Sequence, residues 1–297
     1  MSALGGDRSG GSIGRITGAA LGDPRTGEAG ERSSGPFEGI ASDVPEEDRP
    51  RPCADDRRRS RGGSVVIDWL LAPIDLTRPH DVGALHAWHG RLMVLAWGVL
   101  VPLGVIIARF FKVLPRQRFP EVVENLFWWR THLAAQGGAL VLMAVGLVLV
   151  LWTGPGVSAT AGAWVHHWLG WAILALGAAQ GMSGLLRGTK GGPTDPRGSL
   201  RGDHYDMTRR RLVFERVHKT LGYAALALSL AAVMTGLWQA NAPRWMWMSL
   251  SFWWGGLAAA FVIFQRRGMV VDTYVALWGP DPSHPGNARR VSRNRDG

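Results

Sequence analysis

The sequence predicts an all-α integral membrane protein, a bundle of five crossing helices arranged around a four-helix core. Three observations lead there. First, the chain has 297 residues, and beyond position 84 it is dominated by apolar runs at roughly 85–109, 131–152, 164–186, 214–238 and 245–265. Each run is about the 20 residues that a helix needs to cross hydrocarbon. Second, the runs do not alternate as barrel strands would, and only helices or closed barrels satisfy their backbone in lipid. A stretch such as Gly138–Trp152 (GALVLMAVGLVLVLW) leaves no polar face for a soluble amphipathic helix. Third, there are 15 Trp against 3 Tyr. Trp88, Trp128, Trp129, Trp152, Trp164, Trp168, Trp245 and Trp247 lie near segment ends, where aromatic belts form.

Taken in order, residues 1–63 are rich in Gly, Arg, Ser, Asp and Glu and poor in large apolar residues. Such a segment cannot bury enough apolar surface to offset its ordering entropy, so disorder is expected. It has no apolar stretch of signal-peptide type. A translation start near Ser64 or Val65 fits the sequence as well as a genuine extension does. Residues 64–84 include Val65–Thr77 (VVIDWLLAPIDLT), too short and too charged to span, and expected at the outer interface. The membrane domain is expected over 85–265 and a cytoplasmic tail over 266–297.

Orientation follows from charge. The net charge is +10 and the isoelectric point near 11.0. The cations are not spread as a nucleic-acid footprint would be, and no nucleic-acid partner is expected. They cluster by loop. The first connection carries Arg109, Lys112, Arg116, Arg118 and Arg130. The third carries Arg187, Lys190, Arg197, Arg201, Arg209, Arg210, Arg211, Arg216 and Lys219. Arg266 and Arg267 follow the last run, whereas Thr153–Ala163 has no Lys or Arg and the last turn has only Arg244. The positive-inside rule puts the basic connections and the C-terminus in the cytoplasm. The expected location is a multi-pass, bacterial-type inner (plasma) membrane.

Within that topology four histidines stand out: His89, His132, His166 and His218, each near the start of its own apolar run. Ionisable side chains at membrane depth are costly and generally functional. Alternating helix direction puts His89 and His166 near the outer face and His132 and His218 near the inner face. Parity alone therefore pairs His89 with His166 and His132 with His218. Each pair has the makings of two axial iron ligands, giving two haems about 20–25 Å apart, iron to iron, across helices some 24 residues long. Cys53 is the only cysteine and there is no C-x-x-C-H attachment motif, so the haems would be non-covalent b haems. His86 lies on the same face as His89 and is a rival ligand. His167 is rotated about 100° from His166 and is expected to point elsewhere. His80, His204 and His284 lie outside the runs and are expected to be solvated.

Local motifs support the pairing. His166-x-x-Leu-Gly170-Trp and His218-x-x-Leu-Gly222-Tyr repeat one pattern, with Gly one turn beyond His on the same face, where its missing side chain would let a flat porphyrin approach. Gly90 follows His89, and Gly137 and Gly138 follow His132. Gly177-x-x-x-Gly181 is read instead as a close-packing site between helices. The stretch from His89-Gly-Arg-Leu-Met to Gly98, Pro102-Leu-Gly and Ile106-Ile-Ala-Arg109 resembles the cytochrome b561 domain, especially its bacterial branch. So do Trp128-Trp-Arg-Thr-His132, His166-x-x-Leu-Gly170 and His218-x-x-Leu-Gly-Tyr223. The resemblance covers roughly 65–285. It implies a four-helix core with two b haems, the first and third core helices ligating one and the second and fourth the other. Many members have six spanning helices; five are read here.

The expected function is transmembrane electron transfer between the two faces, an oxidoreductase relay whose donor and acceptor the sequence leaves open. Bis-histidine ligation leaves no open iron position, which favours relay over oxygen chemistry. Two alternatives stay open: a haem-bearing membrane anchor for a separate redox subunit, and a haem-free transporter or proton channel that uses the histidines directly. The lipid bilayer is the one certain partner; a homodimer is compatible with the sequence. There is no P-loop and no dinucleotide fingerprint. Arg109, Lys112, Arg130, Arg216 and Lys219, near the inner pair, are read first as topology determinants that contact lipid phosphates or haem propionates.

Overall fold

The computed structural model describes residues 61–153 and 162–288. The expected disorder of 1–63 therefore falls, apart from the backbone of its last three residues, outside the described residues, as does most of the connection 153–163. Seven helices are named here: α1 Arg61–Leu71, α2 Ala84–Phe110, α3 Phe127–Trp152, α4 Ala163–Leu185, α5 Arg209–Gln239, α6 Arg244–Arg266 and α7 Thr273–Trp278. No strand occurs among the described residues. Antiparallel neighbours α2–α3 and α4–α5 pack most extensively, and α3–α4 and α5–α2 contacts close the four into a ring. α6 lies outside, against α2 and α1. This is a helical membrane bundle.

Four of the five long helices, α2, α3, α5 and α6, are long and apolar enough to cross a membrane. The fifth, α4, is long enough at 23 residues. Its composition is the exception to the five expected spans, because it carries His166, His167, Gln180 and Ser183. His166, Gln180 and Ser183 are polar groups the core uses, so residues that mark its role also lower its apolarity. The outward faces of the bundle are apolar: Phe252 is 87% and Trp152 82% exposed, and Leu185 and Val141 are also exposed. Contiguous exposed apolar surface of this kind needs lipid or a partner to cover it. The buried core is thin, with Ala96, Trp97, Val101, Ala139, Met143, Ile173, Ala225 and Ala232 along the bundle axis.

α1 runs for 11 residues, about 16 Å, too short to span, and starts at Arg61, just inside the segment expected to be disordered. It is tied to the α5–α6 turn. Arg244 donates to the Trp69 carbonyl at 3.1 Å and lies over the Trp69 ring. Asn241, 2% exposed and with a φ of 45°, accepts from Asp75 N and donates to the Asp75 and Arg78 carbonyls. Asn is one of the few side-chain-bearing residues that enters the left-handed region readily. Hydrogen bonds from Thr77 hold the Asp75 carboxyl down at about 2.

α2 is not a regular α-helix throughout. Val94–Leu100 is a π-helical turn. Its cause lies in the sequence: Pro102 has no N–H to give the Gly98 carbonyl four residues back, and its ring crowds that carbonyl. The Gly98 oxygen accepts instead from the indoles of Trp253 and Trp254 on α6, at 2.9 and 3.1 Å. One proline thus explains both the widened turn and the attachment of the outer helix.

Candidate functional site

The helix register brings four of the predicted residues into two facing pairs. The rings of His89 (α2) and His166 (α4) are centred 6.4 Å apart, with planes at 87°. The rings of His132 (α3) and His218 (α5) are also 6.4 Å apart, with planes at 73°.

Each histidine is locked through Nδ1 to the neighbouring helix, and the locks are reciprocal. His89 donates to the Gly146 carbonyl of α3 at 2.8 Å, while His132 of α3 donates to the Gly104 carbonyl of α2 at 3.1 Å. His166 donates to the Ala232 carbonyl of α5 at 3.0 Å, with Thr235 Oγ1 at 3.3 Å. His218 of α5 meets Ser183 Oγ of α4 at 2.8 Å. Carbonyl oxygens only accept, so three Nδ1 atoms must carry the proton. The Ser183 hydroxyl spends its one hydrogen on the Gln180 carbonyl at 2.9 Å, so its oxygen accepts from His218 as well. All four rings are therefore the tautomer whose Nε2 keeps a free lone pair, the form that binds a metal.

Glycines make these locks reachable. A Cβ on Gly104 would lie 2.5 Å from Gln136 Nε2 and 3.1 Å from Ala135 Cβ. One on Gly146 would lie 2.9 Å from Met93 Cε, and one on Gly236 3.0 Å from His166 Cε1. The backbones approach closely only because no side chain intervenes. Gly177 and Gly181 likewise sit against Met143, Trp97 and Leu140, the packing role expected of them. Gly90, Gly137 and Gly170 face open space, whereas Gly222 lies 3.9 Å from Gln180 and Gly138 3.6 Å from Leu100. Gln180 also donates to the His218 carbonyl at 3.1 Å, and Gln136 to the Val101 carbonyl at 3.2 Å.

What could such pairs hold? A metal–imidazole bond is about 2 Å long and the ring centre lies about 1 Å further out, so two rings on one metal are centred about 6 Å apart. Both pairs match. Among the described residues no group of three or more His, Cys, Asp or Glu could hold a metal ion. Each pair offers two imidazoles, and a macrocycle such as haem would supply the remaining ligands of a metal held between them. Along α2, His89 and Gly104, which marks the other pair, are 15 residues apart, about 22 Å.

The other histidines separate from these pairs. His86 faces Thr153 Oγ1 at 3.3 Å through its Nε2, and pairs with no other histidine ring. His167 accepts from the Trp171 indole at 3.1 Å, turned away from His89 as expected. His80 is exposed and bonds the Ala240 carbonyl. The expectation of solvation fails for His204, which is 7% exposed. It is packed edge-on against Trp278, with ring centres 4.8 Å apart, and lies 3.1 Å from Arg211. His284 is half-buried against the Tyr205 hydroxyl at 2.8 Å.

The burial of His204 belongs to a folded cap at the His132–His218 end that sequence reading missed. It is built from 186–208 and 268–288. Tyr205, Tyr274 and Trp278 form its centre, with Tyr274 and Trp278 rings 4.7 Å apart. Asp272 caps α7 by accepting from Tyr274 N and Val275 N. Lys190 pairs with Glu124, and Lys112 donates to the Val271 carbonyl at 2.9 Å. Burial first, then the Arg211 cation, pushes His204 down to about 2, so it is neutral. Burial, with Lys219 nearby, pushes Lys112 down to about 8. The cap leads to the His132–His218 pair: Arg211 lies over the Phe214 ring at 5.0 Å, and the Phe214 ring lies against His218 at 5.1 Å with planes at 31°.

Comparison with known proteins adds a second line. Over 158 residues the chain is 27% identical to a cytochrome b561, DM13 and DOMON domain-containing protein of Arabidopsis thaliana, covering 53% of this chain and 15% of that protein. Over 164 residues it is 27% identical to human ferric-chelate reductase 1, covering 54% and 24%. A second Arabidopsis protein, named for cytochrome b561 and DOMON domains, matches at 24% over 200 residues, covering 63% and 42%. The chain thus spans less than half the length of each. No family model matches, and no solved structure matches. The names of these relatives support the cytochrome b561 family, and with the spanning helices they support a multi-pass membrane protein.

Proposed function

We propose that this chain is a cytochrome b561-type transmembrane electron relay with two non-covalent b haems. His89 and His166 would hold one haem near the outer face, and His132 and His218 the other near the inner face. The observation that carries the reading is the two facing pairs, equal in spacing, at opposite ends of one four-helix core. When bound, each haem iron supplies a one-electron couple. The chain does the rest. Four acceptors on neighbouring helices fix the tautomer and ring angle of each ligand, which lowers the reorganisation that a change of iron charge demands. With two histidines of the chain holding each iron, no position would be left for oxygen, which favours relay over oxygen chemistry. The dry axis of Ala96, Trp97, Met143 and Ile173 keeps water from between the pairs.

The Arg-rich loops and the C-terminus are assigned to the cytoplasmic side of a bacterial-type inner membrane, from which reducing equivalents would enter. The name of the human relative, ferric-chelate reductase 1, makes a ferric chelate the acceptor to try first. The deciding experiment is a reduced-minus-oxidised spectrum of purified protein with extraction and counting of haem. A b-type spectrum with two haems per chain is expected. One haem would mean that a pair is misassigned, and colourless protein that moves protons or a solute would replace the relay by a transporter.

A further inference from the structure

Three of the four candidate ligands donate Nδ1–H to a backbone carbonyl; His218 alone donates only to a hydroxyl, that of Ser183. His166 has the opposite surplus, a carbonyl with a second oxygen, Thr235 Oγ1, in reach. The two ends of the core thus differ in how strongly their imidazoles are pulled toward imidazolate. A stronger acceptor at Nδ1 makes Nε2 a better electron donor, which favours ferric iron and lowers a haem's potential. An amide oxygen is a stronger acceptor than a hydroxyl. The bond that Ser183 gives to the Gln180 carbonyl strengthens its oxygen by only about 10–30%.

We infer that Ser183 is a positioning residue that sets the redox asymmetry of the relay. Through His218 it holds the inner haem at a higher potential than the outer one. This rests on the two-haem reading above. The surroundings act in the same direction. Arg211 is buried one turn from Phe214, whose ring is tilted against His218, and the inner connections carry most of the chain's loop cations. Positive charge favours the reduced, less positive iron. At the outer end Arg91, two residues from His89, lies over the Trp88 ring, and Arg78 is paired with Asp75. Ser183 meets His218 at Nδ1. It acts through the one proton on His218 Nδ1, and the alignment of that bond depends on Gln180, which clamps the His218 backbone from the same helix.

The test is a potentiometric titration of the purified full-length holoprotein, with electron paramagnetic resonance of the oxidised haems, for wild type, Ser183→Ala and Ser183→Thr. Titrating the His89→Ala protein, which keeps the inner haem alone, assigns the inner midpoint. The expected result is two resolved midpoints in wild type, the inner one higher. Ser183→Ala should move only the inner midpoint, upward, and broaden its signal; Ser183→Thr should restore both. If Ser183→Ala does not fold, Ser183→Asn supplies an amide oxygen and should move the inner midpoint down toward the outer. Midpoints that stay put, or that shift together, or an inner haem that titrates below the outer, overturn the inference. If wild type fails to carry two haems, the relay reading itself falls and takes the inference with it.

Discussion

The two histidine pairs, proposed as outer and inner, share one ring spacing and one way of being locked at Nδ1, and differ in what surrounds them. At the outer end, His89 and His166 are held by the backbone oxygens of Gly146 and Ala232, beneath a short strap in which Asn241 ties Asp75 and Arg78 to the α5–α6 turn. At the inner end, His132 and His218 are held by Gly104 and Ser183, above a folded cap carrying buried His204, Arg211 and Trp278. Identical spacing from dissimilar neighbours shows that helix register fixes where the rings meet. What surrounds them is free to differ, and that freedom is where the two sites acquire different chemistry.

The largest effect should come from cutting either pair. His89→Ala or His166→Ala should remove one of two haems, and His132→Ala or His218→Ala the other, each halving the haem-to-protein ratio while leaving a distinct residual signal. If His89→Ala and His132→Ala leave the same residual haem, the division into outer and inner sites is wrong. His86→Ala should leave both haems, because its Nε2 is engaged with Thr153.

The pairing was legible in the sequence because it needs only parity: alternating helices and a histidine near each start. The bundle was legible because apolar runs of spanning length have few other uses. The locks were not. Ser183 reads as an ordinary small residue in a membrane helix, and Gly104 and Gly146 lie 28 and 57 residues from the histidines they serve. Only the crossing of the helices shows that a missing Cβ is what lets an imidazole reach a carbonyl. The cap was hidden for a different reason. Residues 186–208 are rich in Gly, Pro and charge, and they fold only against Tyr274 and Trp278, some 70 residues on. His204 was misjudged as solvated because nothing local predicts its burial.

The cap offers the next contrast, since among the described residues the other end carries only the short strap at 72–80. Trp278→Ala should cost about 3–5 kcal/mol in cap stability, as loss of a buried aromatic does. Hydrogen exchange should then rise across 186–208 and 268–288 while the strap at 72–80 keeps its protection. Trp278→Phe should be mild, because the indole nitrogen is buried without a hydrogen-bond partner and its removal leaves nothing unsatisfied. Equal damage from both variants would show that the indole N–H matters after all.

Closer to the pairs, Gly104→Ala and Gly146→Ala probe how tightly each lock is built. At Gly104 the new Cβ meets Gln136 Nε2 at 2.5 Å and Ala135 Cβ at 3.1 Å, and Gln136 is already bonded to Val101. At Gly146 it meets the mobile end of Met93 at 2.9 Å, which can swing aside. Overpacking costs about 1–3 kcal/mol where neighbours cannot yield. Gly104→Ala should therefore lower thermal stability and inner haem occupancy, and Gly146→Ala should do neither appreciably. The reverse order would mean that the outer pair is the more rigid.

The smallest effect concerns pH and the inner cap alone. Lys112 is buried beside Lys219, with Asp272 pulling the other way, and titrates at about 8 instead of 10.5. Between those values the unfolded chain binds the proton and the folded chain does not, so stability rises with pH through that window. Below pH 8 both states are protonated, and the full cost of burying the cation is present. Protection of the cap amides near Val271, which accepts from Lys112, should increase from pH 8 to 10.5, after correction for intrinsic exchange. In Lys112→Met that increase should vanish, because the titrating group is gone and its apolar stem remains. The outer strap should show no such rise, since Asp75 titrates at about 2 and is ionised throughout. An unchanged slope in Lys112→Met would assign the pH response to another group and leave the cap anchored by its aromatic centre rather than by this lysine.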